Sequence, residues 1–496
     1  MTPLASAARI GKDAADHQMG DRMLDHLRAI CGAGNVLTGT DAARYGRDWT
    51  GAYSWSPLAV VRPGSTAEVA AVMQSAHQAR VPVVPVAGNT GLVGGTKAPG
   101  QLMLSLERLT RIRALKPEAR VVVAEAGVVL ARLHDAAADH GLLFPLWFGA
   151  RGSALLGGAL STNAGGSNVL RHGSTRGLCL GLEVVLPDGR VLNLMQELHK
   201  DNSGYALKDL FIGAEGTLGI ITAATMKLVP APRAHATATL AAPSLAAALT
   251  LLNRLQEVTG GLVEAYEFMP AGYMDRLAQL RPDLGLPFAD RHDVTILVEL
   301  GATAPRDADP RPDGAIPLVD LLEETLAAMM EDGAVLDAVV ARTEGQRTTM
   351  WARREAAAEL ALTRGPVVDT DVCVPLDRVQ DFLVRMPQRL AALDPAATDL
   401  TVAHLGDGNL HYTVFPSQAA PDLLDAIRSA IEDVVADLHG SFSAEHGIGL
   451  SKLSSMRRRK DPLALEMMQA IKAAFDPLNL MNPGKVLPQL PEETRP

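Results

Sequence analysis

Short apolar runs of strand length alternate with glycine-rich turns through the first half of the chain. Residues 182–186 and 191–194 are two such runs, and Pro187-Asp188-Gly189-Arg190 between them predicts the turn of a hairpin. The same pattern predicts further strands at residues 58–61, 81–86, 102–106 and 121–124. Ser65 and Glu68 have capping-box spacing and predict a helix over residues 66–79, and a second helix is predicted over 130–140.

The pattern changes at Pro230-Ala231-Pro232-Arg233, where two prolines break the apolar runs and predict a domain boundary. Beyond it, helices are predicted at 245–258 and 318–330, and strands at 263–268, 294–300 and 334–341. Residues 304–317 are rich in proline and aspartate and predict an exposed loop. Such alternation is typical of an α+β domain whose sheet is covered by helices on one face.

Length and charge narrow the class of protein. A chain of 496 residues is too long for one typical domain, and its net charge of −10 argues against nucleic acid or an anionic membrane as the main partner. Cys31, Cys179 and Cys373 lie far apart, which indicates a reducing compartment and no disulfide framework. With no signal-like N-terminus and no apolar run of membrane-spanning length, we expect a soluble cytoplasmic protein.

Three loops of small residues, at 87–96, 161–166 and 213–219, are candidates for ligand binding. Small side chains let backbone N–H groups approach an anion or a flat ring closely. The first loop is neither a GxGxxG motif nor a Walker loop, so a Rossmann or P-loop domain is not supported. Each of the other two loops, taken alone, is equally consistent with ordinary turns.

Two histidines flank a predicted hairpin turn in the second half. With Asp407-Gly408 as a two-residue turn, His404 stands opposite His411, and directly opposed residues have Cβ atoms about 4.5–5.5 Å apart. That spacing suits two imidazoles on one metal ion, and the alternative is a surface hairpin with two unrelated histidines. A third ligand must come from elsewhere; Glu445, beside His446 in a glycine-bounded turn, is the best candidate, although that turn could equally be a helix cap.

The glycine loops carry a family resemblance. Residues 85–95, 161–166 and 200–205, the last running on to 211–222, resemble the FAD-binding domain of the vanillyl-alcohol-oxidase (PCMH-type) flavoproteins. The resemblance implies a two-lobed α+β domain that clamps an extended FAD, held non-covalently because the first loop has no histidine to tether it. The residues implied to contact FAD are Pro85, Gly88, Asn89, Thr90, Gly91, Leu92, Gly95, Ser161, Thr162, Asn163, Gly165, Gly216, Gly219, Ile220 and Asn482.

With the histidine motifs added, the chain after about Tyr45 resembles the FAD-linked, zinc-assisted D-2-hydroxy acid dehydrogenases, a group that includes D-lactate and D-2-hydroxyglutarate dehydrogenases. The resemblance implies oxidation to the 2-oxo acid by hydride transfer to flavin N5. It further implies that His404, His411 and Glu445 bind Zn²⁺, that His446 is the general base, and that Arg354 holds the substrate carboxylate. Without the resemblance, an ion pair on a helix surface would be the simpler role for Arg354.

The same resemblance implies a division of the chain and a set of partners. The N-terminal helical segment would be 1–50, the FAD-binding domain 51–232, the substrate-binding cap domain 233–440, and the C-terminal segment that completes the active site 441–496. Because the sequence shows no nicotinamide site, electrons would pass to a quinone, a cytochrome or an electron-transfer flavoprotein, or directly to oxygen. A homodimer is considered because dimers are common in soluble proteins. Two other functions compete with this one: a redox-neutral transferase like the alkylglycerone-phosphate synthases, and a non-catalytic flavin-binding subunit of a larger complex.

The distal pocket departs from the hydroxyglutarate enzymes. Asp369 aligns with their lysine for the second carboxylate, Thr413 with an asparagine, and Ala358 with a threonine. A second carboxylate about 4 Å from Asp369 would be repelled by roughly 4 kcal/mol at an effective dielectric of 20. We therefore expect a D-2-hydroxy monocarboxylate with a small or apolar side chain, such as D-lactate, to be preferred over D-2-hydroxyglutarate.

Overall fold

A computed structural model describes residues 22–362 and 365–489, beginning with a helix, α1, over residues 22–31. The first sheet has four strands in the order β1-β2-β4-β3, with β2 and β3 parallel to β4. Helix α2 (Thr66–Ala79) crosses from β2 to β3, and Ser65 Oγ accepts a hydrogen bond from Glu68 N, which confirms the predicted cap. The strands are β1 (Val36–Leu37), β2 (Ala59–Val61), β3 (Val83–Val86) and β4 (Leu102–Ser105).

The second sheet is antiparallel, in the order β5-β6-β10-β8-β9, and a small pair joins β7 to β11. The predicted hairpin is confirmed, with Val185 opposite Val191, whereas β5 was not predicted. One apolar core links both sheets. The strands are β5 (Ile112–Lys116), β6 (Val121–Glu125), β7 (Leu142–Leu143), β8 (Cys179–Val185), β9 (Val191–Leu194), β10 (Ile220–Lys227) and β11 (Val229–Pro230). The helices are α3 (Leu130–Ala138), α4 (Leu156–Thr162), α5 (Val169–His172), α6 (Thr175–Leu178) and α7 (Lys208–Phe211).

The third sheet has seven antiparallel strands in the order β15-β12-β14-β13-β17-β18-β16. The strand over residues 234–242, β12, was not predicted, and the expected loop at 304–317 contains one helical turn. The strands are β12 (Ala234–Ala242), β13 (Val263–Pro270), β14 (Val294–Ala302), β15 (Asp337–Val340), β16 (Val368–Cys373), β17 (Thr398–His404) and β18 (Asn409–Phe415). The helices are α8 (Leu245–Thr259), α9 (Ala271–Leu280), α10 (Pro305–Ala308), α11 (Pro317–Glu331), α12 (Glu344–Glu355), α13 (Ala357–Leu362), α14 (Val379–Leu393) and α15 (Pro421–Asp437).

The two faces of this sheet differ in chemistry. Strand alternation sends Tyr266, Ala403 and Leu410 into an apolar core under α8, α11, α14 and α15. Their neighbours Glu267 and His404 therefore point to the opposite face. That face, which helix α12 partly covers, holds most of the buried polar groups of the region and positions the site described below.

The C-terminal segment returns to the first two sheets through α16 (Leu453–Arg459) and α17 (Pro462–Phe475). Phe475 packs edge-on against Phe211, with ring centroids 5.5 Å apart, and Met481 bridges to Val83. The α+β class with a returning C-terminal segment is thus confirmed, while the domain boundaries stay predictions. Within the described residues, no helix combines the length and apolarity needed to span a membrane.

Candidate active site

The first glycine loop leaves its backbone donors free. Among the described residues, none accepts a hydrogen bond from the backbone N–H groups of residues 88–96, which we call the glycine cradle. Asn89 holds the loop in shape: it adopts a φ of 52°, its Nδ2 donates to Arg47 O, and its Oδ1 accepts from Thr96 Oγ1. A run of unpaired N–H groups is the donor set that a pyrophosphate requires.

The glycines of the cradle have different structural roles. A Cβ on Gly88 would lie 2.3 Å from Ser153 O, so the backbone can pass there only without a side chain. A Cβ on Gly91 would meet no described atom within 4 Å, so this glycine borders open space. Behind the loop, Gly216 packs against the ring of Pro85. A Cβ added to Gly216 would lie 2.4 Å from Pro85 Cγ. Thr90 and Leu92 are half-buried on the same loop.

A second wall of the cradle comes from the end of α4. Ser161 and Thr162 donate their hydroxyl protons back to Gly157 O and Gly158 O within the helix. Asn163 ends the helix in a left-handed conformation, with φ of 50°, and its Oδ1 accepts from Arg176 N. Because these three side chains already form hydrogen bonds within the protein, the groups of this wall that remain free to bind a ligand are mainly backbone atoms.

The loop at 213–219 joins this wall, since Glu215 N donates to Ser161 O. Gly165 borders Glu445, whose Oε2 would lie 2.8 Å from a Cβ added there. Gly219 packs tightly on Val184, and the Ile220 side chain is part of the apolar core and 1% exposed. A ligand at this point would therefore meet backbone, not the Ile220 side chain.

Glu215 ties the C-terminal segment to the cradle. Its buried carboxylate accepts from Ile448 N at 2.7 Å and from Gly449 N at 2.9 Å, and burial raises the pKa of its carboxyl group. Leu450 N also donates to Val93 O at 2.8 Å. The turn that carries Glu445 and His446 is thereby held against the glycine cradle.

Asn482 lies at the same junction. Its Nδ2 donates to Gly95 O and Glu215 O, while its Oδ1 is buried without a partner among the described residues. An unpaired buried acceptor is costly unless a ligand donor satisfies it. Together with the free N–H groups of the cradle, it gives a set of donors and acceptors that fits FAD.

The hairpin register differs from the prediction. His404 pairs with Asn409, and His411 pairs with Val402, because residues 405–408 form a longer turn closed by Gly408 N donating to His404 O. The direct opposition of the two histidines was therefore wrong. A register shift of two residues keeps every side chain on its face, so both rings still share one face with centroids 5.4 Å apart.

His404 and Arg354 share a buried carboxylate. Glu267, on β13, accepts from His404 Nδ1 at 2.9 Å and from Arg354 Nε at 2.7 Å. Burial alone would raise the pKa of Glu267, but the His404 and Arg354 charges lower it to about 2. Arg354 Nη2 is also buried and has no partner among the described residues. The alternative for Arg354 was a surface ion pair; the pair exists, but it is buried and leaves one donor free.

The other histidines gather around Glu445. Asp371, His411, Glu445 and His446 each offer one ligand atom within 4.8 Å of the others. His411 Nε2 lies 3.6 Å from Glu445 Oε1, and the His411 and His446 rings stack at 5.6 Å. Burial and the nearby His404 hold the pKa of His411 well below its usual range. We call His404, His411, Glu445 and His446 the histidine site.

The donors of the histidine site fit a zinc ion. Two ligand atoms bound to zinc at about 2.0–2.2 Å in tetrahedral geometry lie roughly 3.3–3.6 Å apart, close to the His411–Glu445 separation. His404 lies outside the four-residue group, but its Nδ1 is oriented by Glu267, the arrangement common around metal-binding histidines. The zinc ligands and the base stay predictions.

Sequence reasoning missed three buried acids: Glu215, Glu267 and Asp371. Each lies within or beside an apolar run, and a charge there is a signal that it has a partner. The partner of Glu267 is 87 residues away along the chain, and that of Glu215 is 233 away, so the sequence offered no way to pair them. Asp369, by contrast, is exposed and accepts from Thr413 Oγ1 at 2.7 Å.

Two family models match the chain. Residues 57–195 match the family described as FAD binding domain, and residues 231–486 match FAD linked oxidases, C-terminal domain. D-2-hydroxyglutarate dehydrogenase, mitochondrial, of Bos taurus is 37% identical over 89% of this chain and 79% of its own. D-2-hydroxyglutarate dehydrogenase of Stutzerimonas stutzeri (strain A1501) is 32% identical over 94% of this chain and 98% of its own.

Solved structures agree on the fold. p-Cresol methylhydroxylase with substrate bound superposes with a TM-score of 0.72, covering 94% of this chain and 96% of its own at 15% identity. An alkyldihydroxyacetonephosphate synthase superposes with a TM-score of 0.68, covering 93% of this chain and 84% of its own at 16% identity. At these identities the likeness supports the vanillyl-alcohol-oxidase type of fold and nothing further.

The predicted cytoplasmic location was wrong. The relatives from Bos taurus, Rattus norvegicus and Danio rerio are named as mitochondrial, and bacterial relatives exist as well. The absence of a signal-like or membrane-spanning run in the sequence does not distinguish these compartments.

Proposed function

Because the chain belongs to the FAD-linked oxidase family and is an FAD-linked oxidoreductase acting on CH–OH groups, we propose that it oxidises a D-2-hydroxy acid to the 2-oxo acid. The observation that carries the proposal is the meeting of two sites. Just after the turn that holds Glu445 and His446, the chain is bonded to Glu215 and to Val93 of the glycine cradle. The His446 ring of the same turn stacks on His411.

Two bound groups complete the chemistry. FAD, when bound, supplies the acceptor for the hydride, which carries two electrons away from the α-carbon. Zinc, when held by His404, His411 and Glu445, supplies a positive charge that lowers the pKa of a coordinated hydroxyl. In this proposal FAD is held non-covalently, because the glycine cradle contains no histidine that could tether it.

The remaining steps belong to side chains of the chain. His446 takes the hydroxyl proton, since its ring stacks on His411 and its Nε2 lies 4.0 Å from Glu445 Oε1. Arg354 holds the substrate carboxylate, because its buried Nη2 has no other partner among the described residues. Glu267 fixes the orientation of Arg354 while the arginine binds substrate.

The first candidate substrate is D-2-hydroxyglutarate. Eight relatives are named D-2-hydroxyglutarate dehydrogenase, two of them as probable. Their alignments cover 89–98% of the chain at 31–37% identity. A five-carbon dicarboxylate would place one carboxylate on Arg354 and the other further along the pocket.

Asp369 favours a second candidate, a D-2-hydroxy acid with an uncharged side chain such as D-lactate. It lies two residues from Asp371 on the same strand face, where its charge opposes a second carboxylate. The side chain is exposed, so water screens that charge and the repulsion is well below the roughly 4 kcal/mol expected at 4 Å with an effective dielectric of 20.

One experiment tests the reaction and separates the candidates. FAD-loaded protein is mixed anaerobically with D- and L-2-hydroxy acids, and bleaching of flavin absorbance is followed. We expect D-enantiomers alone to bleach the flavin, and a redox-neutral transferase would leave it unchanged.

Comparing kcat/KM for D-lactate, D-2-hydroxybutyrate, D-malate and D-2-hydroxyglutarate at one salt concentration then ranks monocarboxylate against dicarboxylate substrates. A quinone, a cytochrome or an electron-transfer flavoprotein remains the proposed final acceptor.

A further inference from the structure

We propose that Asp371 is a positioning residue that fixes the turn carrying Glu445 and His446. The inference rests on the proposed function, because it concerns the base of that reaction. Asp371 lies on β16, directly opposite His411 on β18, and its side chain is fully buried. Its carboxylate, together with its own backbone oxygen and the Cys373–Ser441 bridge, holds this turn to the third sheet.

One carboxylate oxygen of Asp371 accepts hydrogen bonds from the backbone N–H groups of the turn. Oδ2 accepts from Glu445 N and His446 N, both at 2.9 Å, and from Ala444 N at 3.2 Å. Converging N–H groups on one carboxylate oxygen fix three successive residues at once. The His446 imidazole carried by this backbone is thereby aimed at His411, on which its ring stacks.

The hydrogen bonds of Asp371 favour an anchor over a metal ligand, although it belongs to the four-residue cluster. Oδ1 already accepts from Asn409 Nδ2 at 2.9 Å, and Oδ2 is occupied by the turn. Lys452 Nζ lies 3.7 Å from Oδ2 and donates to Ser443 Oγ, so the charge of Asp371 is balanced within the protein. A metal ion would have to displace these donors.

The test is a double-mutant cycle on the rate of flavin reduction in FAD-loaded protein. Asp371→Asn should slow reduction by about 10- to 100-fold with FAD and metal retained, as for loss of a group that orients an active-site residue. In a His446→Ala background the same change should cost less than about threefold, because the base that Asp371 positions is already gone. Asp381→Asn, an exposed carboxylate on α14, is the control.

Hydrogen exchange gives a readout that does not depend on activity. Asp371→Asn should speed exchange of the amides of residues 444–446, whereas Asp381→Asn should leave them unchanged. Equal rate losses in both backgrounds, or unchanged exchange in the turn, would overturn the anchoring role. Loss of metal together with unchanged exchange would make Asp371 a ligand instead. If His446→Ala alone reduces flavin at the normal rate, the proposed base fails, but the exchange result still decides the anchor.

A separate observation concerns Lys485. It is 5% exposed, yet no carboxylate among the described residues lies within 4.0 Å of its ammonium. Burial and the nearby Lys97 lower its pKa to about 8. Three residues earlier, Asn482 bonds to Gly95 O, and Val486 N donates to Gly449 O, so Lys485 lies beside the glycine cradle.

A largely buried lysine whose ammonium has no carboxylate partner among the described residues favours a bound counter-charge. The fully ionised group of oxidised FAD is its pyrophosphate. The geometry points to Lys485 as the charge partner of that pyrophosphate. Lys485→Met should weaken FAD binding to apo-protein, followed by flavin fluorescence, by about 10- to 100-fold, as for a hydrogen bond to a charged group. It should weaken competition by ADP, which carries the same diphosphate, by a similar factor. Lys116→Met, an exposed lysine paired with Glu197, is the control. Unchanged FAD and ADP affinity would overturn the assignment.

Discussion

The glycine cradle and the histidine site meet at one junction but use different atoms. The cradle offers backbone N–H groups, and its side chains mainly hold the loop in shape, as Asn89 does. The histidine site uses side chains on two strands and one turn. The buried Glu267 orients His404, and the buried Asp371 holds the backbone of the turn. A backbone site tolerates changes of side chain that leave the chain path intact, whereas a side-chain site depends on every partner.

The largest effect is expected in the histidine site. His411→Ala removes a proposed ligand, so metal binding and turnover should fall to background while FAD stays bound, because the cradle is separate. Metal content and flavin absorbance of the purified variant measure the two sites independently. The exposed His140→Ala should change neither. If chelated, metal-free protein still reduces its flavin at the normal rate, the metal has no role in the reaction.

Arg354→Ala should lower kcat/KM by about 10²-fold or more, because it removes a buried charge partner from both substrate and Glu267. The loss should appear mainly in KM in steady-state kinetics. Arg354→Lys should restore little, since an ammonium cannot reproduce the guanidinium fork. Full rescue by lysine would mean that charge alone is required and that the fork is not used.

Glu267→Gln should lower metal affinity or activity by roughly 10- to 100-fold, as for other groups that orient metal-binding histidines. Glu299→Gln is the control. Glu299 is also buried, on neighbouring β14, and is bonded to Arg347 and Trp351, but it forms no hydrogen bond with His404 or His411. Metal titration and thermal unfolding of both variants separate the two effects. Equal metal affinities would remove Glu267 from the histidine site.

The smallest effects are expected in the cradle, where two glycines provide a matched pair. Gly88→Ala should destabilise the apo-protein by about 1–3 kcal/mol, because its Cβ would press on Ser153 O. Gly91→Ala should leave apo-protein stability unchanged, since no described atom lies near its Cβ, yet weaken FAD binding. Thermal unfolding without FAD and a fluorescence titration with FAD distinguish the two. Unchanged FAD affinity in Gly91→Ala would place the cofactor elsewhere.

The sequence by itself determined much of the local structure. Glycine loops, capped helices and apolar periods identified the helix over 66–79, the hairpin over 182–194 and the α+β class, because these follow from neighbours along the chain. It missed β5 and β12, whose residues do not form a clean apolar run. Strand existence in such segments is decided by the partners with which they pair.

The histidine hairpin shows where local reasoning ends. Its face was right and its register wrong, because turn length, not strand pattern, sets register, and a shift of two leaves the pattern unchanged. Only the tertiary structure brought Glu267 to His404, Asp371 to the turn at 444–446, and Glu215 to Gly449. These acids are separated from their partners by 73 to 234 residues along the chain. A buried carboxylate is costly unless it is hydrogen-bonded, so the sequence predicts that each of these acids has a donor. Only the fold decides which donor lies close enough.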